Sequence, residues 1–261
     1  MGVLNVTPDS FSDGGCFNRL EAAVAQAQQL AAEGADILDI GGQSTRPGAA
    51  VVPLEEELRR VVPVVQALRT TAGFSLPISV DTTRVAVAEA ALDAGADWIN
   101  DVSGGTYEPE ILGVAAARGA PIVLMHLRGT PQTMQTLTDY GDVVSEVATS
   151  LGAIAQQARQ RGLKPEQIIL DPGIGFAKTA SQSLDLLRRL SELKALGYPL
   201  LVGPSRKSFI GHVLDQPDPQ QRIWGTAAAC CRAIAGGADI LRVHDVAAMR
   251  DVCRMADALW R

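Results

Sequence analysis

The feature that most limits the fold is a repeat: a helical stretch ends at a glycine, and a short apolar run rich in Val, Ile and Leu follows at once. Gly34, Gly73, Gly95, Gly119, Gly162, Gly197 and Gly237 precede runs at 37–40, 77–81, 97–100, 121–125, 167–171, 199–203 and 239–243. Three of the junctions are nearly one word, GADIL, GADWI and GADIL again. A glycine just past a helix end takes the left-handed conformation that strains any residue with a Cβ, so each of these marks a helix-to-strand turn. With Val3–Val6 as the opening run there are eight strands, separated by helical patterns. One of these begins at Pro53 and sets Leu54, Leu58, Val61, Val65 and Leu68 on roughly one face, with Pro63 placed to kink it.

Strands that read as unbroken Val/Ile/Leu are buried on both faces, as in a parallel sheet covered by helices. Eight β-then-α units predict an α/β chain closed as a (β/α)8 TIM barrel, one domain over residues 1–261. An open doubly wound sheet is the alternative, but its G-x-G-x-x-G turn after the first strand is missing. The 47% hydrophobic and 20% charged content allows a large core and argues against disorder. A net charge of −6 and a pI near 5.1 exclude a broad nucleic-acid footprint. A small anionic ligand needs only a local basic cluster and stays open.

Cys16, Cys230, Cys231 and Cys253 form neither a C-x-x-C pair nor a zinc spacing and are expected to be reduced. The start of the chain has no basic n-region, and no run of 18 or more apolar residues occurs, so neither a signal peptide nor a membrane span is expected. The expected location is cytoplasmic.

Active sites of such barrels lie at the C-terminal ends of the strands. Those ends carry Asn5, Asp39, Asp81, Asn100, His126, Asp171, Lys207, Arg242 and His244. Helix capping could account for Asp81 before Thr82 and Thr83. It does not account for a lysine, an arginine and a histidine at the same ends. Asp81, Asn100 and Asp171 can read the amino and N–H edges of a flat heterocycle. Lys207, Arg242 and His244 suit phosphate oxygens or a ring carbonyl, and the last two, two residues apart, share a side of their strand. Three loops add polar reach: Thr7–Gly15 with Phe11 in its middle, Asp39–Gly48, and Asp171–Lys178, whose glycines can serve either a ligand or the turn. His126 and His212 are given no role.

The segments MGVLNVTPDSFSDGG, DIGGQSTRPG, SVDTT, INDVSGG, LMHLRGTPQTMQ, ILDPGIGFAKT, LVGPSRKSFIG and RVHDV, in this order from residue 1 to residue 245, resemble the motifs of the dihydropteroate synthases. The resemblance implies condensation of 6-hydroxymethyl-7,8-dihydropterin diphosphate with 4-aminobenzoate, in folate synthesis, with Mg²⁺ and in a homodimer. It implies pterin contacts from Asp81, Asn100, Asp171 and Lys207, diphosphate contacts from Arg242 and His244, and a link to Mg²⁺ through Asn5. Thr45, Arg46 and Pro47, with Phe11, Phe176 and Ser208, would shape the 4-aminobenzoate end, where sulfonamides would compete. Gly41 and Gly42 would let the Thr45–Pro47 loop move as a lid above a fixed Asp39. Gln43 stands where the family often has glutamate, and Ala177 where glycine is usual. A folate-binding methyltransferase domain and a non-catalytic pterin-binding paralogue are the alternative functions.

Overall fold

The computed structural model describes residues 1–7, 16–71 and 74–261. Among these, eight short strands occur where the apolar runs place them: β1 (Gly2–Asn5), β2 (Leu38–Gly41), β3 (Ile78–Asp81), β4 (Trp98–Asp101), β5 (Ile122–Met125), β6 (Ile168–Asp171), β7 (Leu201–Val202) and β8 (Ile240–Leu241). Between and after them run α1 (Cys16–Ala32), α2 (Leu54–Thr70), α3 (Val85–Asp93), α4 (Ile111–Arg118) and α5 (Val143–Gln160). The later helices are α6 (Ala180–Arg188), α7 (Leu190–Lys194), α8 (Ser208–Leu214), α9 (Ile223–Ala235) and α10 (Val246–Trp260).

Strands β1 to β6 pair in sequence order, all parallel, and β7 pairs with β8. Two parallel bridges, Leu170 with Leu200 and Gly2 with Val243, join the two sheets into a closed ring. The barrel is therefore complete, and the open doubly wound alternative is excluded. The last two strands are shorter than their apolar runs. Pro199, at the start of one, has no N–H to give a ladder and serves only as acceptor for the Leu170 amide.

The glycine punctuation has the expected cause. Gly34, Gly95, Gly119, Gly162, Gly197 and Gly237 all have positive φ, from 67° to 110°; Gly73 lies outside the described residues. In α2 the buried stripe is Val61, Val64, Val65 and Leu68, and Pro53 sits one position before the first helical residue. Leu54 and Leu58 pack against the core only in part. The helix runs through Pro63 without ending.

The main core is the layer between strands and helices, with Leu4, Leu38, Ile40, Ile78, Ile99 and Leu124 fully buried in it. A second, smaller cluster of Met1, Val123, Ile169 and Leu201, packed by Ile37, Trp98 and Ile240, comes from alternate strand positions and fills the barrel's inside. No helix among the described residues is long and apolar enough to cross a membrane.

Candidate active site

The inner cluster explains where the polar groups stand. Side chains two apart on a strand point the same way. Ile37, Trp98, Ile169 and Ile240 are inside, so Asp39, Asn100, Asp171 and Arg242, each two residues on, sit above them at the C-terminal mouth. Period-two geometry thus brings these strand ends into one convergent site, and Asp39, Asp81, Asn100 and Asp171 are all buried there.

Arg242 is the centre of one half. Its Nε donates to Asp39 Oδ2 at 2.6 Å and its Nη2 to Asp81 Oδ2 at 2.7 Å. Asn100 Nδ2 donates to the same Asp39 oxygen at 3.1 Å. Burial works against the charge on Arg242, but Asp39 and Asp81 outweigh it and push its pKa up. Burial, with Asp39 close by, pushes the Asp81 carboxyl up despite the guanidinium. Helix capping plays no part at Asp81, since the first turn of α3 has no side-chain cap. Asp39 Oδ1 is buried without a partner. Arg242 spends two of its five N–H donors on these aspartates, leaving three for a ligand.

Asp171 and Lys207 form the other half. Asp171 Oδ1 accepts from the Gly173 amide at 2.7 Å, which leaves Oδ2 for a ligand. Burial pushes its carboxyl up, opposed by that amide, Lys207 and Lys178. Lys207 Nζ sits 3.9 Å from the centre of the Phe176 ring, a cation–π contact. Burial lowers its pKa to about 8, opposed by Asp171.

Behind them lies a pair made by His126, which was given no role, and Lys178. Lys178 Nζ is 3.0 Å from His126 Nδ1 and donates to the Phe176 carbonyl at 2.8 Å. Burial brings Lys178 down to about 7 and His126 down to about 3.

His244 is half-buried, and both its backbone N–H and its Nδ1 meet Ser205 Oγ, at 3.2 and 3.0 Å. Burial and the neighbouring Arg242 and Arg206 lower its pKa to about 3, so the ring is neutral and offers a hydrogen bond rather than a charge. Arg206, with φ 59°, holds Asp245 through Nε at 3.0 Å and Nη2 at 2.6 Å, tying the loop before Lys207 to the loop after His244. Ser205, Arg206 and Asp245 were missed because they act through Lys207 and His244 rather than at the mouth itself; their adjacency to those two in sequence was the available signal.

The remaining residues fall around the mouth. Asn5 ends β1, half-buried, in register with Gly41. Thr45 is half-buried, Arg46 and Pro47 are exposed, and their loop rests on the chain after β5 through Gly48 N–H to Pro131 O at 2.9 Å. Ser208 begins α8 and is exposed. Phe176 is half-buried, and Phe11 lies outside the described residues.

The glycine hinge is a correction. Gly41 is part of β2 and neither Gly41 nor Gly42 has positive φ. A Cβ on Gly42 would come within 2.8 Å of Val61 Cγ2, and its carbonyl is held by Arg60 Nη1 at 2.9 Å. Gly42 serves close packing against α2, not motion. Gln43 fits because only an acceptor is needed there, for the Val52 amide at 3.2 Å. Ala177 takes φ 49°, the left-handed region where glycine is favoured, at a cost of roughly 1–2 kcal/mol. The Tyr140 hydroxyl donates to its carbonyl at 3.0 Å and helps hold it there.

Among the described residues no group of three or more His, Cys, Asp or Glu is arranged to hold a metal by itself.

Known proteins match this arrangement along its whole length. The model of a family described as pterin binding enzyme matches residues 1–244. A dihydropteroate synthase from Synechocystis sp. is 66% identical over 261 residues, covering 100% of this chain and 90% of the relative. A dihydropteroate synthase structure from Clostridium difficile, in the presence of pteroic acid, superposes with a TM-score of 0.94 at 44% identity, covering 100% of this chain and 96% of that one. That of Xanthomonas albilineans with 4-aminobenzoic acid gives 0.91 at 46% identity, over 99% of this chain and 92% of that one. The chain belongs to the pterin-binding enzymes and, among them, to the dihydropteroate synthases.

Proposed function

We infer that the site at the barrel mouth joins 6-hydroxymethyl-7,8-dihydropterin diphosphate to 4-aminobenzoate, giving 7,8-dihydropteroate and diphosphate. The observation that carries this reading is the convergence of Asp81, Asn100, Asp171, Lys207 and Arg242 on one mouth of the ring, in a chain 66% identical to a dihydropteroate synthase.

The reaction breaks the C–O bond between the pterin methylene and diphosphate and forms a C–N bond to the aromatic amine, whose surplus proton leaves to solvent. Asp171 Oδ2 and the free Oδ1 of Asp81 accept the N–H edges of the pterin, and the second N–H of Asn100 donates to it. Asp171 gains most as positive charge develops on the ring, so its contribution is larger in the transition state than in the ground state. Lys207, pinned against Phe176, donates to the ring's acceptors. The three free donors of Arg242 and the neutral His244 hold the departing oxygens, which is electrostatic stabilisation by groups already in place. The amine is nucleophilic when neutral and needs no strong base. Thr45, Arg46 and Pro47, with Phe176 and Ser208, border its position and shield the reacting carbon from water.

The donor set fits Mg²⁺ carried with the substrate. Mg²⁺ is ordinarily held by one or two protein oxygens, phosphate oxygens and water, and the Asn5 amide oxygen supplies such a ligand at the end of β1. When bound, the ion would neutralise charge on the diphosphate. The buried carboxyls Asp39, Asp81 and Asp171 beside Lys207 and Arg242 support a role for added positive charge on the diphosphate.

The assembly we propose is a homodimer. Val213 and Leu214 on α8, Trp224 on α9, and Met255, Leu259 and Trp260 on α10 are large exposed hydrophobics on helices that touch through α9, and such patches mark interfaces.

One preparation tests these points. Purified protein, the diphosphate substrate, 4-aminobenzoate and Mg²⁺ should yield dihydropteroate and diphosphate in equal amounts, with chelation suppressing the rate and a sulfonamide competing with 4-aminobenzoate. Sedimentation should give twice the monomer mass. Pterin binding without product would overturn the reading in favour of a non-catalytic pterin-binding protein.

A further inference from the structure

Lys178 is a buried lysine that the reaction as described does not use. It is 3% exposed, as is its partner His126. A buried ammonium persists only where acceptors surround it, and here they are His126 Nδ1 at 3.0 Å and the Phe176 carbonyl at 2.8 Å. Burial and Lys178 itself keep the His126 ring neutral, so Nδ1 is free to accept.

The segment these bonds close, residues 172–178, is held at several points. At its start Gly173 has φ 66° and packs so closely that a Cβ would lie 2.2 Å from the His126 carbonyl oxygen. Near its end the Ala177 carbonyl is taken by Tyr140, and Thr179 caps α6 by accepting from the Gln182 amide at 3.2 Å. Between these points the Phe176 amide donates to the Gly173 carbonyl at 3.0 Å, a bond within the segment, and Lys178 holds the Phe176 carbonyl, while the ring rests on Lys207 Nζ at 3.9 Å.

We propose that Lys178 is a positioning residue for the aromatic-amine substrate: bonded to His126 and to the Phe176 carbonyl, it fixes the 172–178 segment so that the Phe176 ring stays against Lys207. This rests on the reading of the site above, in which Phe176 borders the 4-aminobenzoate end. A lysine that merely stabilised the fold would weaken both substrates alike or neither. A positioning residue acts mainly on one.

Steady-state kinetics of Lys178→Met, His126→Gln and His126→Leu test it, beside the wild type. Loss of a hydrogen bond to a charged group predicts a rise of about tenfold in KM for 4-aminobenzoate for Lys178→Met. KM for the pterin diphosphate, still held by Asp171, Lys207 and Arg242, should rise clearly less than that for 4-aminobenzoate. His126→Gln, which keeps an acceptor for the ammonium, should behave as wild type, and His126→Leu as Lys178→Met. An unchanged KM for 4-aminobenzoate, an equal rise for both substrates, or identical behaviour of the two His126 variants would overturn the proposal. If Lys178→Met does not fold, the His126 pair decides: without an acceptor at 126 the ammonium is no longer aimed at the Phe176 carbonyl, whereas glutamine keeps it there. Wild-type protein that makes no product would instead count against the reading of the reaction.

Discussion

Arg242→Met separates the two tasks that the structure gives this one side chain. The guanidinium is shared by Asp39, fully buried, and Asp81, 7% exposed, at 2.6 and 2.7 Å. Removing one partner from a buried ion pair costs roughly 3–5 kcal/mol, because the other charge is left without compensation. Asp81 can relieve its share by taking up a proton, its pKa being raised by burial already. Asp39 keeps only the Asn100 amide at 3.1 Å. The lower end, about 3 kcal/mol at neutral pH, is therefore expected, or about 6–12 °C in Tm for a chain of this size. Urea unfolding measures it. Adding Asp39→Asn to Arg242→Met removes the stranded charge and keeps an acceptor for Asn100, so the double variant should recover at least about 1 kcal/mol. Catalysis should behave otherwise: kcat falls by about 10²–10³ for loss of a preorganised donor, and Asp39→Asn does not restore it. A cost below about 1 kcal/mol for Arg242→Met, or a further additive loss from Asp39→Asn, would refute the shared-guanidinium account.

Lys207 predicts opposite pH trends for activity and stability. Its folded pKa is lowered to about 8 against 10.5 for an ordinary lysine, so the rate falls as pH rises through about 8 and the ammonium is lost. Between those two values the unfolded chain binds more protons than the folded one, so stability contributed at this site rises with pH. The unfolding free energy of wild type relative to Lys207→Met should move in favour of wild type as pH rises over that window; movement the other way would show that Lys207 is not desolvated. Two glycine replacements are also diagnostic. At Gly119, φ 67° with no atom within 4 Å of a new Cβ, alanine should cost about 1–2 kcal/mol from backbone strain alone. At Gly173 the 2.2 Å approach to the His126 carbonyl oxygen adds a clash, so thermal melting should show a clearly larger loss there, and equal losses would contradict the packing.

The fold was legible because its signals are local. Each strand is an unbroken apolar run, and each helix end needs a left-handed residue that glycine supplies, so the eight-fold count can be made without knowing any tertiary contact. Closure is another matter. It rests on two bridges, Leu170 to Leu200 and Gly2 to Val243, and the second joins the two ends of the chain's β order, a relation no local pattern carries. The sense of Gly42 was likewise hidden: as a glycine beside a polar loop it reads as freedom, whereas Val61 and Glu57 on α2 leave no room for a side chain there.

The site divides along the same line. Which residues converge follows from period two and from strand ends, so Asp81, Asn100, Asp171 and Arg242 could be named in advance, and Lys207 from its place in the loop after β7. What they do to one another could not. Arg242 looked like a free phosphate donor, but an arginine facing Asp39 and Asp81 across a closed ring must satisfy two buried carboxylates before it meets any ligand. That prior engagement fixes the plane of the guanidinium. The donors left for the diphosphate are therefore held in place by Asp39 and Asp81 rather than recruited by the substrate, and the reorganisation that a flexible surface arginine would undergo on binding is already complete in the fold. His244 follows the same logic in reverse. Burial, with Arg242 and Arg206 close by, holds its pKa well below neutral and keeps the ring uncharged. Its ring thus adds direction to the anion contact through a hydrogen bond, while the positive charge comes from Arg242.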